Sequence, residues 1–200
     1  MVKNFFRFLR GLLLVCSDFF AIFDLGFGRR ARSNLLIVRV DNIGDFILWL
    51  PSAEKLHSLY SENEKPILIC NQTCSGLARA TCFFSEVIGV DLVRLRQDLG
   101  YRFRMLRRIA DLGASIAIQP TYSRVFLTGD SLVRASGASS RIGFDGDLSN
   151  ICAWHKWISD RWYTRLVPAS LFAMTELDRN AEFLRNLGLG DGHVEIPRLP

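Results

Sequence analysis

The sequence lacks the residue spacings that mark metal and redox sites. None of its five cysteines forms a C-x-x-C pair, and the odd number leaves no complete set of disulfides. The three histidines, His57, His155 and His193, lie far apart and show no ligand spacing. We therefore expect no metal site and no bound cofactor, and cysteines that stay reduced in a cytosolic protein.

Long apolar runs are missing too. Residues 5–27 are strongly apolar, but Arg7, Arg10, Asp18 and Asp24 interrupt them. The longest uncharged stretch of this segment, residues 11–17, is far shorter than the roughly 20 residues that a spanning helix needs. A signal peptide also fits poorly, because Asp18 breaks its apolar core and no small-x-small cleavage site follows.

The same segment has the pattern of an amphipathic helix. On a helical wheel its polar residues fall in one sector roughly 120° wide, and the remaining positions are apolar, with many phenylalanines. We predict that residues 1–30 form a helix lying in the interface of an anionic membrane. The alternative is a helix packed on the body of the protein or on a missing domain, since amphipathicity alone does not separate these cases.

Positive charge exceeds negative charge, with 25 Lys and Arg against 20 Asp and Glu. A net charge of +5 favours an anionic partner such as a membrane surface, a phosphorylated sugar or a nucleic acid. The most basic predicted helix carries Arg102, Arg104, Arg107 and Arg108. We interpret these arginines first as a solvated face and second as a membrane contact. No nucleic-acid-binding module accompanies them, so no nucleic acid is expected.

Short apolar runs alternate with helical patterns along the main body. Five strands are predicted at residues 35–40, 66–70, 86–90, 115–119 and 141–144, and helices at residues 46–60, 73–80, 98–112, 125–135 and 175–187. Strands of this length separated by helices predict an α/β fold with a doubly wound parallel sheet. In such sheets ligands bind beyond the carboxyl ends of the strands.

The loop after the first predicted strand carries most of the chemistry. Asp41, Asn42, Gly44 and Asp45 follow the strand and lead into a helix. This loop has neither the G-x-G-x-x-G fingerprint nor a Walker pattern, and its two carboxylates would repel a phosphate. Carboxylates at the end of a strand suit a different task, which is to hold and deprotonate a sugar hydroxyl.

Three segments together resemble glycosyltransferase family 9, which contains the heptosyltransferases of lipopolysaccharide core synthesis. They are the R-V-D-N-I-G-D loop with the L-P that follows it, S-G-A-S-S-R-I-G-F-D-G-D at residues 136–147, and T-E-L-D-R-N-A-E-F-L-R-N-L-G-L at residues 175–189. They occur in the order of the family and span roughly residues 35–190. Thr175 departs from the family pattern, where histidine is frequent.

The resemblance implies a GT-B architecture of two Rossmann-like domains that face a cleft. Residues 34–190 would be the N-terminal, acceptor-side domain, and residues 191–200 the start of an interdomain linker. The C-terminal domain, which binds the nucleotide sugar in this family, is not in the sequence, so we expect a truncated half of an enzyme. The implied location is cytoplasmic and peripheral on the inner face of the membrane.

The resemblance also implies an inverting transfer from a nucleotide-sugar donor to a glycolipid acceptor, with Asp45 as the catalytic base. The alternative for Asp45 is a residue of the first helical turn that only satisfies backbone N–H groups. Asp41, Asn42, Gly44 and Tyr122 are predicted to contact the acceptor, although Asp41 could instead serve only the turn.

Two arginines complete the predicted site. Arg124 and Arg141 are predicted to hold acidic groups of the acceptor, with surface ion pairs as the alternative for each. The aromatic cluster could stack on sugar rings, but closing a core or an interface is more typical; its members are Trp154, Trp157, Trp162 and Tyr163.

The predicted function is thus one half of a glycosyltransferase of cell-envelope polysaccharide synthesis. A first alternative is a non-catalytic remnant that binds the acceptor or docks on a membrane. A second is a small-molecule binder of flavodoxin or receiver type, which Arg39 disfavours because an acidic pair follows the first strand in receivers.

Overall fold

The computed structural model describes Gly11, Leu14, Val15 and Asp18, residues 35–57 and 65–189, and Ile196 and Pro197. Its centre is a six-stranded parallel sheet in the order β3-β2-β1-β4-β5-β6. The strands are β1 (Leu35–Arg39), β2 (Ile67–Asn71), β3 (Glu86–Val90), β4 (Ile116–Gln119), β5 (Ser140–Phe144) and β6 (Arg165–Val167).

Helices connect the strands and cover the sheet. They are α1 (Ile43–His57), α2 (Ser75–Ala80), α3 (Leu92–Gln97), α4 (Leu99–Asp111), α5 (Ser131–Ala135), α6 (Ala153–Asp160) and α7 (Glu176–Leu187). A 3-10 turn, Gln72–Cys74, precedes α2, and a π turn, Phe126–Asp130, precedes α5. Thr175 caps α7 by accepting a hydrogen bond from the Asp178 N–H, and Gly188 ends this helix at φ 95°.

The core lies on both faces of the sheet, because β1 is buried along its whole length. Leu36 and Val38 point to one face and pack with apolar residues of α4 and α5. Leu35 and Ile37 point to the other face and pack with apolar residues of α1 and α7. A strand buried on both faces must be apolar throughout, which is the pattern of a parallel sheet between two helical layers. The predicted doubly wound α/β fold is confirmed.

The N-terminal segment contacts this body at the residues that the structure describes. Leu14 and Asp18 are buried, and the Asp18 carboxylate accepts from Arg102 Nε at 2.5 Å, Arg102 Nη2 at 2.6 Å and Ser131 Oγ at 2.7 Å. Packing on the body, the alternative interpretation, is therefore observed at these positions. Asp18 was expected on the polar side of a membrane-bound helix and instead neutralises a buried cation. The rest of residues 1–34 lies outside the described chain, and so do residues 190–200 apart from Ile196 and Pro197.

Replacing Asp18 with Ala is expected to destabilise the protein by about 3 to 5 kcal/mol, because the Arg102 cation would stay buried without its carboxylate. Urea unfolding measures the loss. Glu54→Ala, which removes an exposed carboxylate from α1, should change the free energy of unfolding by less than about 0.5 kcal/mol. The double variant Asp18→Leu with Arg102→Met should regain most of the stability. Equal midpoints for Asp18→Ala and Glu54→Ala would show that the ion pair contributes nothing.

Among the described residues, no helix combines the length and the apolar character needed to cross a membrane.

Candidate functional site

The candidate site lies where the strand order changes direction. Strands β1 and β4 are neighbours, and the sheet continues from them in opposite directions. The loops that leave such a pair diverge and open a crevice at the carboxyl edge, which is where ligands bind in open α/β sheets. A cavity of about 240 Å³ occupies this crevice. It is lined by Val40, Asp41, Asn42, Asp45, Leu92, Arg96, Gln119, Thr121, Ser123, Val125, Thr128, Gly129 and Asn150.

Three of the predicted site residues meet in this cavity, namely Asp41, Asn42 and Asp45. The fold brings them together with polar side chains that sequence reasoning did not single out, among them Thr121 and Asn150. Carboxylates, amides and hydroxyls thus dominate the lining. Such groups both donate and accept hydrogen bonds, which is the chemistry that a polyhydroxylated ligand requires.

A buried arginine organises the acidic loop. Arg39, the last residue of β1, is fully buried, and its Nε lies 2.6 Å from Asp41 Oδ2. Its Nη2 donates to Glu176 Oε1 at 2.5 Å, and its Nη1 donates to Asn180 Oδ1 at 3.2 Å. The guanidinium therefore ties the loop after β1 to the start of α7. A buried charge needs such partners, because desolvation without them is strongly unfavourable.

The two loop aspartates are held differently. Thr121 Oγ1 donates to the Asp41 carboxylate at 3.1 Å, so Asp41 is bound on both sides, by Arg39 and by the loop after β4. Asp45 lies in the first turn of α1, and its main-chain carbonyl accepts from Arg39 Nη2 at 3.5 Å. That contact uses the carbonyl, and Asp45 is one of the residues that line the cavity.

Glu176 adds a third carboxylate beside this loop. Burial raises the pKa of Glu176, and the charges of Asp41 and Asp45 raise it further, while Arg39 opposes them. Three acidic groups thus lie within electrostatic reach of one guanidinium. Arg96 adds a second cation to the lining of the cavity, so acidic and basic groups both lie at its edge.

The far wall of the cavity is built from the loops after β4 and β5. Ser123 Oγ donates to Asp147 Oδ1 at 3.0 Å, and Asn150 Nδ2 donates to the Ser123 carbonyl at 3.1 Å. These bonds join the two loops directly. The wall is therefore held together by contacts within the protein.

Tyr122 and Gly44 lie near the cavity but do not line it. The Tyr122 ring packs edge-on against Phe144, and the Arg179 guanidinium lies 3.9 Å from its centroid. Tyr122 thus supports the loop after β4 from the α7 side. Gly44 is exposed in the first turn of α1.

The two predicted arginines are not brought to the cavity. Arg124 is buried, and its guanidinium bonds to Asp160, lies 3.5 Å from Asp130 and packs over the Tyr163 ring. Arg141 pairs with Ala117 across the sheet, in the amino-terminal half of β5, where its guanidinium donates to the main-chain carbonyls of Ala138 and Trp162. The guanidinium groups of both arginines thus contact other groups of the protein. They form neither the predicted contacts with the acceptor nor the exposed ion pairs of the alternative.

Sequence reasoning missed Arg39, Glu176 and Asn180. Arg39 offered a signal, because a charged residue inside an otherwise apolar strand must find partners when the sheet is buried on both faces. The sequence gives no signal of which residues these partners are, since Glu176 and Asn180 lie 137 and 141 residues further along the chain.

The loop after β5 requires a glycine at position 146. A Cβ on Gly146 would lie only 1.5 Å from the Tyr122 carbonyl oxygen. Gly146→Ala is therefore expected to destabilise the protein by about 3 kcal/mol or more, because two backbones must separate. Gly76→Ala is the matched control, since nothing lies within 4 Å of a Cβ at this position in α2; it should be neutral or stabilising. Similar unfolding midpoints for both variants would contradict the close approach.

Comparison with known proteins identifies the fold. No protein-family model and no curated protein sequence matches this chain. Solved structures do match. The glycosyl transferase family 9 protein from Veillonella parvula DSM 2008 superposes with a TM-score of 0.66 at 15% identity, over 86% of this chain and 46% of its own.

Two E. coli enzymes are similar as well. Heptosyltransferase WaaC, solved with ADP-2-deoxy-2-fluoro heptose, matches with a TM-score of 0.61 at 16% identity, over 82% of this chain and 52% of its own. ADP-heptose lps heptosyltransferase II matches with a TM-score of 0.53 at 13% identity, over 84% of this chain and 46% of its own. The chain thus spans about half the length of the solved structures that it matches.

At these identities the likeness concerns the fold, and at that level it confirms the resemblance to glycosyltransferase family 9. This chain folds as a Rossmann-like α/β domain that matches about half of a family 9 glycosyltransferase.

Proposed function

We propose that this domain binds the acceptor in a glycosyl transfer reaction and that Asp45 is the catalytic base. The observation that carries the proposal is the position of Asp45 on the wall of a polar cavity at the carboxyl edge, beside an Asp41 that Arg39 and Thr121 already hold. Asp41 is thereby held in place, and Asp45 would face the acceptor hydroxyl. The fold shared with glycosyltransferases supports the same assignment.

The cavity suits one sugar ring of the acceptor. Its volume of about 240 Å³ lies below the range of roughly 300 to 1,000 Å³ typical of sites for drug-sized ligands. Its hydroxyl, amide and carboxylate lining matches the alternating donors and acceptors of a sugar. Acidic groups of a glycolipid acceptor would lie outside it, away from Asp41, Asp45 and Glu176.

The donor is proposed to be a nucleotide sugar held by a facing domain. WaaC, one of the similar structures, was solved with an ADP-heptose analogue. The loop after β6, at the carboxyl edge of the sheet, exposes apolar side chains, with Leu171 at 99% and Phe172 at 79% exposure. Main-chain groups of that loop bond to the Arg179–Glu182 pair, so these side chains are presented by an ordered backbone. A domain facing the cleft would cover them.

In the proposed reaction the acceptor oxygen attacks the anomeric carbon of the donor. A C–O bond forms on one face of that carbon while its bond to the nucleotide diphosphate breaks on the other, so the configuration inverts. Asp45 accepts the hydroxyl proton. For this its carboxylate must lie within about 3 Å of the hydroxyl, with water excluded as the cleft closes. The enzyme would act at the cytoplasmic face of the membrane that holds its glycolipid acceptor.

The test has two stages that separate acceptor binding from transfer. NMR titration of the chain with soluble acceptor oligosaccharides should shift amide signals of the loops after β1 and β4. Transfer is then measured from ADP-heptose, with a family 9 donor-binding domain supplied in trans. Binding without transfer would identify a non-catalytic acceptor-binding domain, and the absence of both would overturn the proposal.

A further inference from the structure

Helix α6 presents an exposed aromatic array. Trp154 is 64% exposed and Trp157 51% exposed, although tryptophan is rarely left in water to this extent. Their rings stack with centroids 4.9 Å apart and planes at 13°. The Arg161 guanidinium lies 3.6 Å from the Trp157 ring centroid and also donates to the Trp157 carbonyl. We call these three side chains the Trp–Arg array.

The array is held by a rigid support. On the opposite side of α6 the His155 ring stacks on Phe126 at 4.5 Å. Lys156 Nζ binds Asp160 at 2.9 Å and also Asp145, and Ser159 is fully buried. Contacts of His155, Lys156 and Ser159 thus fix the helix to the body. The tryptophans are displayed by an anchored helix, which lowers the entropy lost when they bind.

The charges around the Trp–Arg array indicate an anionic partner. Two carboxylates near α6 are paired with cations, since Lys156 binds Asp145 and Asp160, and Asp160 also binds Arg124. Arg161 forms no ion pair with a carboxylate of the described chain, so its cation is available beside the two indoles. Indole rings next to an arginine match the headgroup region of an anionic bilayer, where tryptophan is enriched and basic residues meet phosphates.

Position adds a second argument. Helix α6 begins three residues after Asn150, which lines the cavity of the candidate site. A membrane in contact with the array would therefore lie close to the mouth of that cavity. This part of the argument rests on the proposed function, because a glycolipid acceptor must reach the cavity from a bilayer.

We propose that α6 is a membrane-docking helix, with Trp154 and Trp157 in the headgroup region of an anionic bilayer and Arg161 on its phosphates. This surface is distinct from residues 1–30, for which the sequence predicts a membrane contact of its own.

The proposal is tested with vesicles and without any sugar, so it fails or holds independently of glycosyl transfer. The chain is mixed with vesicles of phosphatidylglycerol and phosphatidylcholine, and binding is measured by flotation. Tryptophan emission should shift to the blue, and brominated lipids should quench it. Trp154→Ala with Trp157→Ala should weaken binding on the order of tenfold or more and abolish the shift. Arg161→Gln should reduce binding to the anionic vesicles several-fold while binding to phosphatidylcholine stays unchanged.

Leu171→Ala with Phe172→Ala is the matched control, because it also removes two exposed apolar side chains but from the loop before α7. This control should bind vesicles like the unmodified chain. Unchanged vesicle affinity in the tryptophan variant would overturn the proposal and assign the membrane contact to another surface. A chain that binds no vesicles but dimerises through these tryptophans, or binds only soluble saccharides, would overturn it as well.

Discussion

Replacing Asp45 with Asn is expected to lower kcat/KM for sugar transfer by about 10² to 10⁴-fold, the contribution typical of a general base. Asparagine keeps the shape of the side chain and can still hydrogen-bond a hydroxyl, but it cannot take up the proton. Acceptor affinity, measured by NMR titration, should therefore change little. The fold should also be retained, because the contact of residue 45 with Arg39 is made by the main-chain carbonyl.

Glu54→Gln is the control for this experiment, since it neutralises an exposed carboxylate on the same helix, α1. It should transfer sugar at the rate of the unmodified protein. If Asp45→Asn retained full turnover, Asp45 would be a residue of the first helical turn and the base would have to be sought elsewhere. If acceptor affinity fell in parallel with turnover, the role of Asp45 would be binding.

Replacing Arg39 with Met is expected to destabilise the protein by about 3 to 5 kcal/mol, because Asp41 and the half-buried Glu176 would lose their shared cation. The same change should also lower sugar transfer, since Asp41 would no longer be held beside the cavity. Chemical unfolding measures the first effect. The second is measured at a temperature where the variant is still folded.

Arg108→Met is the matched control, because Arg108 forms a 2.9 Å ion pair with Glu86 on the surface. Exposed pairs of this kind contribute about 0.2 to 1 kcal/mol, so this variant should unfold near the midpoint of the unmodified protein and transfer sugar normally. Equal losses of stability for Arg39→Met and Arg108→Met would show that the buried cluster has no special energetic weight. Full transfer by folded Arg39→Met would show that Asp41 needs no positioning.

The centre of the sheet is predictable because β1, β2 and β4 are buried along most of their length. The five predicted strands are confirmed, each within one residue at either end. Near-continuous runs of apolar and β-branched residues are typical of parallel strands between two helical layers. Helix α7 can also be predicted from the sequence, since its apolar stripe is bounded by Thr175 and Gly188, which act as its caps.

The elements missed in the sequence are α3, α6 and β6. Helices α3 and α6 are too short for a clear period, and β6 has only three residues at the edge of the sheet. Helix α3 begins at a local cap, since the Asp91 side chain accepts from the Val93 and Arg94 N–H groups, whereas tertiary contacts anchor α6. The Lys156 bridge and the Phe126–His155 stack that anchor α6 join parts of the chain that no local pattern relates.

The candidate site was predicted where sequence neighbours act together and missed where distant segments meet. Asp41, Asn42 and Asp45 share one loop, so the end of β1 brings all three to the cavity. Arg124 follows β4 as predicted, but burial beside Asp130 draws its side chain inward. Arg141 lies in the amino-terminal half of β5, far from the carboxyl edge. The register of the strand sets this position, and the sequence motif alone does not predict it.

The contacts of Arg39 also order events during synthesis of the chain. Its partners Glu176 and Asn180 are made 137 and 141 residues later. At 5 to 20 residues per second, that delay is roughly 7 to 28 s. During this interval β1 can pair with β2 and later with β4, but the Arg39 cation still lacks two of its partners. The ribosome must therefore deliver α7 before the loop after β1 reaches its final geometry, so nascent chains that stop short of residue 176 still lack the contacts that hold Asp41 and Arg39 in place.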